Sequence, residues 1–196
     1  MAPKRRTRRS QPAPFKQGRL DSLCGLYATI NAMRFACHTA GITAKISWNA
    51  VFRIMAEQID ARWRLADVLT EGTDSPEIQL CFRAAAVYLK RRHGIILRVT
   101  WPWSKRKVLN PATALQQLAH RLERGHALFF GYDGHKESHW TVVTEVTSTH
   151  VVLMNSCYGP TMKLSDFAFH PEGHLARHQT YVLGAWSAAM ISISKK

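Results

Sequence analysis

Nowhere in the 196 residues does an apolar run approach the roughly 20 residues that a membrane-spanning helix needs. The basic opening stretch is not followed by the apolar core of a secretory signal, so the expectation is a soluble, cytoplasmic protein that is not classically secreted. Cysteine is sparse, at positions 24, 37, 81 and 157, with no Cys-x-x-Cys pair and no short spacing to histidine. That excludes a disulfide scaffold and a structural zinc site, leaves no cofactor to expect, and suits a reducing compartment in which a thiol is available for chemistry. Acidic residues are outnumbered, 13 Asp and Glu against 27 Lys and Arg, and the formal charge of +14 predicts attraction to an acidic partner. Nucleic acid, anionic lipid and an acidic protein all fit that description. No internal repeat divides the chain.

What is present is enough for one globular domain: 46% of the residues are hydrophobic and 20% charged, away from the composition of disordered chains. The exception is the first 12 residues, MAPKRRTRRSQP, where basic residues and prolines replace any apolar period. They read as a disordered basic arm, either a docking or nucleic-acid tail or a solubilising terminus, and residues 13–196 as the domain.

Hydrophobic spacing sets out the elements. Leu23, Leu26, Tyr27, Ile30 and Met33 keep helical period, with Asp21 or Ser22 to cap the start, so Cys24 falls in a first helical turn. Ile46–Leu69 reads as further helix, broken near Gly72, and Ser75–Arg92 as another, with Ser75 as cap and Pro76 at its first position. Ile95–Thr100 is a strand and Pro111–Arg124 a helix ending at Gly125. The period then becomes that of strands, at Ala127–Tyr132, His139–Val146, His150–Asn155 and Tyr181–Ile193. Helices first and antiparallel strands second make an α+β domain, with a cleft expected between a helical wall and a sheet wall.

A thiol acts as a nucleophile in its thiolate form, which the unsatisfied N–H groups and dipole of a helix start favour. Cys24 holds that position, Gly25 after it adds no side chain to obstruct a substrate carbonyl, and the Cys24 backbone N–H can serve an oxyanion. Gln17 is the nearest side-chain amide for a second donor. A thiolate also needs an imidazole, and the imidazole a group to orient it. His139 opens the strand SHWTVVTEV, and Asn155 follows the next one in HVVLMNS. If TSTH between them turns a hairpin, the ends carrying His139 and Asn155 lie side by side.

Gln17-Gly-Arg-Leu-Asp-Ser-Leu-Cys24-Gly25, then His139-Trp140, then Asn155-Ser156, resembles the papain-like cysteine peptidases in residue type and order. The resemblance spans Gln17 to about Ile193, and the compact, helix-first layout looks closer to bacterial members such as bacteriocin-leader (double-glycine) peptidases and secreted effector proteases than to papain itself. It implies a papain-like fold and a thioester mechanism with Cys24 as nucleophile, His139 as base, Asn155 as orienting residue and Gln17 in the oxyanion hole. The implied substrate is a protein or peptide, cleaved at a peptide or isopeptide bond after a small-residue tail such as the Gly-Gly end of a leader or of a ubiquitin-like protein. Where papain-type enzymes commonly carry Trp after Asn-Ser, this chain has Cys157, and Trp140 and Trp103 are the candidates for covering the Asn–His bond.

The same thioester serves acyl transfer, and a basic nucleic-acid or protein-binding module on this scaffold is the non-enzymatic alternative. Cys37 and Cys81 lie on apolar helical faces and read as core; Lys90-Arg91-Arg92 and Arg106-Lys107 read as solvated faces. The histidines of the second half, His126, His135, His150, His170, His174 and His178, lack ligand spacing and read as surface residues.

Overall fold

A computed structural model describes residues 11–18, 21–104, 111–134, 138–156, 159–169, 181–184 and 186–195. Most of the basic arm lies outside these residues, as do Arg106-Lys107, Cys157, His135, His170, His174 and His178.

Five helices and eight strands are described: α1 Cys24–Thr39, α2 Trp48–Asp60, α3 Leu65–Glu71, α4 Ser75–His93, β1 Ile95–Thr100, α5 Pro111–Glu123, β2 Ala127–Gly134, β3 Ser138–Val146, β4 His150–Leu153, β5 Thr161–Lys163, β6 Phe167–Phe169, β7 Tyr181–Leu183 and β8 Ala188–Lys195. The expected α+β order holds, with a helical first half and a sheet that gathers the second. The strand order is β1-β8-β2-β3-β4-β5, antiparallel throughout; β7 adds to the end of β2 and takes β6 as a parallel neighbour. No described helix is long and apolar enough to cross a membrane.

The central strand β2 shows why the fold has two cores. Its residues are buried on both faces, and alternation sends Ala127 and Phe129 into one cluster and Leu128, Phe130 and Tyr132 into the other. The first cluster lies under α1, whose Leu26, Ile30 and Met33 are fully covered, with α2 and α4 around it; the second includes Ala114 and Leu118 of α5. A continuous apolar run in a strand, where an amphipathic sheet would alternate with polar residues, follows from this double coverage.

Local detail departs from the sequence pattern in four places. The start of α1 is capped by neither Asp21 nor Ser22. Asp21 instead accepts from the Gly18 and Leu23 N–H groups, and the Ser22 hydroxyl donates to the Thr70 carbonyl, so the helix begins after Leu23 with no side-chain cap. The expected helix over 46–69 is two helices. The Arg62 and Trp63 N–H groups converge on the Ile59 carbonyl, and Asp60 Oδ1 accepts from Leu65 N–H, which ends one helix and starts the next while the apolar period runs on unbroken. Asp74, not Ser75, caps α4, through a reciprocal capping box with Glu77. Finally, β4 ends at Leu153, two residues short of Asn155; Tyr181–Ile193 divides into β7 and the start of β8; and β5 and β6, three residues each, are too short for a period to reveal.

Candidate active site

The start of α1 and the end of the β2–β3 hairpin face each other across a cleft of about 1050 Å³. Its helical wall carries Cys24 and the loop from α3 to α4; its sheet wall carries His139, Trp140 and Ser156; Gln17 stands at its edge. Cys24 is half-buried, whereas Cys37 and Cys81 are buried, as expected of core thiols. Burial pushes the Cys37 thiol up to about 11, and burial together with the charge of Glu77 pushes Cys81 up to about 12.

His139 and Asn155 meet as the hairpin argument requires. β3 and β4 pair antiparallel with a register shift between Val143 and Glu145, and the Met154 N–H continues the ladder to the Val142 carbonyl, which carries Asn155 back beside His139. His139 Nε2 lies 2.8 Å from Asn155 Oδ1, with both residues only 4% exposed. Asn155 Nδ2 donates to the Gly159 carbonyl (3.4 Å), which assigns the oxygen to the histidine. A carboxamide oxygen only accepts, so Nε2 carries the proton and Nδ1 is the basic nitrogen of the ring. The Tyr132 ring, directly across the ladder, lies 5.9 Å from the imidazole.

Gln17 is held by its backbone and its side chain. Its N–H donates to the Ser156 carbonyl (3.3 Å), and its Nε2 donates to the Asp21 carbonyl in a short bond. Lys16 Nζ reaches the Asn155 carbonyl (3.1 Å), so residues 16 and 17 stitch the segment before α1 to the turn that carries Asn155. One step back, the fully buried Asn31 of α1 makes a reciprocal pair with Phe15, accepting from its N–H (2.8 Å) and donating to its carbonyl (3.1 Å). Arg34 covers the Phe15 ring at 4.1 Å and donates to the Ala13 carbonyl. Sequence reasoning missed Lys16 and Asn31. The signal for Asn31 was a carboxamide seven residues after Cys24, set between the apolar Ile30 and Ala32.

Trp140 ties the two walls together. Its ring stacks on Phe129 (centroids 4.9 Å apart, planes at 21°), and its Nε1–H donates to the Thr73 carbonyl at 2.7 Å. Two glycines make this approach fit. A Cβ on Gly131, its cross-strand partner, would lie 2.3 Å from Trp140 Cζ3, and a Cβ on Gly25 would lie 2.0 Å from Thr73 Oγ1 and 2.5 Å from Ile78 Cδ1. The sequence reading kept Gly25 small for the substrate; the structure gives packing as the reason, since Gly25 is buried under Thr73 and Trp140. Trp103, the other candidate cover for the Asn–His bond, is buried in the α5-side core.

No family model matches the chain, and no curated protein matches it. Among solved structures, the peptidase domain of Streptococcus ComA, a bifunctional ABC transporter involved in a quorum-sensing pathway, aligns over 94% of this chain and 98% of that one. The identity is 11% and the TM-score 0.43.

Proposed function

We propose that the chain is a thiol-dependent peptidase of papain-like type that hydrolyses a peptide or isopeptide bond through a thioester at Cys24. The observation that carries this reading is the buried His139–Asn155 hydrogen bond, 2.8 Å long, on the wall of the cleft that Cys24 also lines. His139 Nδ1 takes the thiol proton; Cys24 Sγ attacks the carbonyl carbon; the same nitrogen returns the proton to the departing amine. Water, activated by the ring in turn, then releases the acid and restores the thiol. Asn155 holds the imidazole in the tautomer that leaves Nδ1 basic, the role the third member of such triads fills.

The oxyanion forms beside the first turn of α1. The dipole of α1 and the Cys24 N–H in its first turn favour the developing charge, and Gln17 Nε2 supplies the second donor. Steady-state kinetics on single variants tests the division of labour. Cys24→Ala and His139→Ala should each bring turnover to background, with the double variant little worse. Gln17→Ala should lose roughly 10²–10³ in kcat with KM little changed, because the charge exists only in the transition state. Asn155→Ala should lose less, with Asn155→Asp restoring part. Full activity in His139→Ala would remove the mechanism.

A further inference from the structure

Among the described residues, the charge that lines the cleft runs opposite to the charge of the chain. In a protein of formal charge +14, the described lining of the cleft holds four carboxylates, Asp21, Glu71, Asp74 and Asp133, and one cation, Lys16, whose ammonium is given to the Asn155 carbonyl. A second cavity of about 470 Å³ shares Glu71, Gly72 and Asp74 with the first and adds Asp67 and Glu77, against Arg64. Six of the chain's 13 acidic residues therefore line these two adjoining spaces. They come from separate parts of the chain: the turn before α1, the α3–α4 region, and the end of β2.

A further feature points to a ligand there. Trp186 lines the cleft with 43% of its surface exposed, tilted against Trp101 at 5.8 Å, and offers an aromatic face of the kind that binds guanidinium and ammonium groups.

We propose that this cleft selects peptide segments carrying Lys or Arg on either side of the bond presented to Cys24. The inference rests on the peptidase reading for the identity of the cleft, but its charge selection stands apart from turnover. A large positive net charge opposes cationic ligands at long range. At physiological salt that field is screened beyond about 8 Å, while direct contacts with the cleft's carboxylates act well inside that distance. A cationic segment therefore gains on entering and an acidic one loses, whatever attraction the outer surface exerts.

The test reads occupancy at Cys24 without needing turnover. The probe is an amidated octapeptide with Gly-Gly at its centre and Lys and Arg on both sides, compared with the same peptide carrying Glu at every Lys and Arg position. Each is added at millimolar concentration to the full chain in about 0.15 M salt, and the rate of Cys24 alkylation by iodoacetamide is followed by peptide mapping. The cationic peptide should slow alkylation about fivefold or more and the acidic one less than about twofold, as expected for several rim charge contacts acting together. The charge-reversed double variant Glu71→Lys, Asp133→Lys should invert that order, and if its melting shows a folding defect, Glu71→Gln alone should weaken the cationic protection. Equal protection by both peptides, protection by the acidic one, no protection by either, or an order unchanged in the variants would overturn the proposal. Selective protection with neither peptide cleaved would remove the peptidase reading and leave charge selection; cleavage of both at equal rates would do the reverse.

Discussion

Replacing Gly131 by Ala tests how the two walls of the site are joined, and the sign of the effect is itself diagnostic. Glycine inside a strand ordinarily costs stability, and exchange for Ala at an unobstructed position should stabilise by about 0.5–1 kcal/mol. Here the new Cβ would lie 2.3 Å from Cζ3 and 2.4 Å from Cε3 of Trp140, in the face of a ring that cannot yield as a flexible chain end does. The indole is fixed by the stack on Phe129 and at its edge by the 2.7 Å bond to the Thr73 carbonyl. Moving it costs the overpacking of a filled core, about 1–3 kcal/mol, and the strained bond to Thr73, about 1 kcal/mol, less the gain from removing glycine. The expected net is a loss of about 1–3.5 kcal/mol, or roughly 2–14 °C in Tm for a chain of this size. Urea melts followed by tryptophan fluorescence measure it. In a Trp140→Phe background, itself destabilised because the Thr73 carbonyl loses its donor, the same exchange should cost less than about 0.5 kcal/mol, since the smaller ring clears the Cβ. A Gly131→Ala protein as stable as the parent, or one equally destabilised with and without the indole, would refute the view that Trp140 clamps the Thr73 loop over the start of α1.

Three further outcomes follow from the same structure. Asn155→Ala strands the buried Nε2–H of His139 and should lower stability by about 1–3 kcal/mol in urea melts, with Asn155→Asp recovering part; an unchanged midpoint would mean the bond is not formed. Asn31→Ala removes both hydrogen bonds to Phe15, and hydrogen exchange should show residues 13–17 losing protection while α1 keeps its own; uniform protection throughout would exclude Asn31 as the clamp. Buried Cys81 keeps its proton to about pH 12, while an unfolded thiol releases it near pH 8.5. The folded state thus binds the extra proton between those values, and this contribution, complete below the unfolded value, is lost as pH rises, by at most about 1.4 kcal/mol per unit. Stability between pH 9 and 10.5 should fall less steeply in Cys81→Ala than in the parent, and parallel slopes would contradict the buried thiol.

The α+β order and the bounds of β1 were legible in the sequence because period, and the change of period after Gly125, are averages over many residues. Local competition was not legible. Asp21 and Ser22 looked like caps by type, but their side chains are engaged by Gly18, Leu23 and the Thr70 carbonyl, and nothing in the spacing foretells those partners. The break at 61–64 was hidden because Trp63, Leu65 and Val68 continue to pack on the core across it. At the site, the meeting of His139 and Asn155 was legible because a hairpin returns its second strand to the start of its first, although β4 stops two residues before Asn155. Trp140, Thr73, Lys16 and Asn31 act through contacts 67 to 139 positions away in the chain, or through a carboxamide that replaces a backbone partner. The acidity of the cleft's described lining was masked by the net charge, since composition counts residues without regard to where the fold places them.

The central claim is that Cys24 is activated by His139, and the rate of thiol alkylation measures it most directly. The parent and His139→Ala, both shown to be folded by circular dichroism, are treated with limiting iodoacetamide at neutral pH and mapped by mass spectrometry. The account predicts that Cys24 is labelled ahead of Cys37, Cys81 and Cys157 in the parent. In His139→Ala, labelling of Cys24 should slow to the rate of an ordinary thiol, because the imidazole that draws off its proton is gone. Cys24 protected until the protein is denatured, or labelled equally fast without His139, would contradict it.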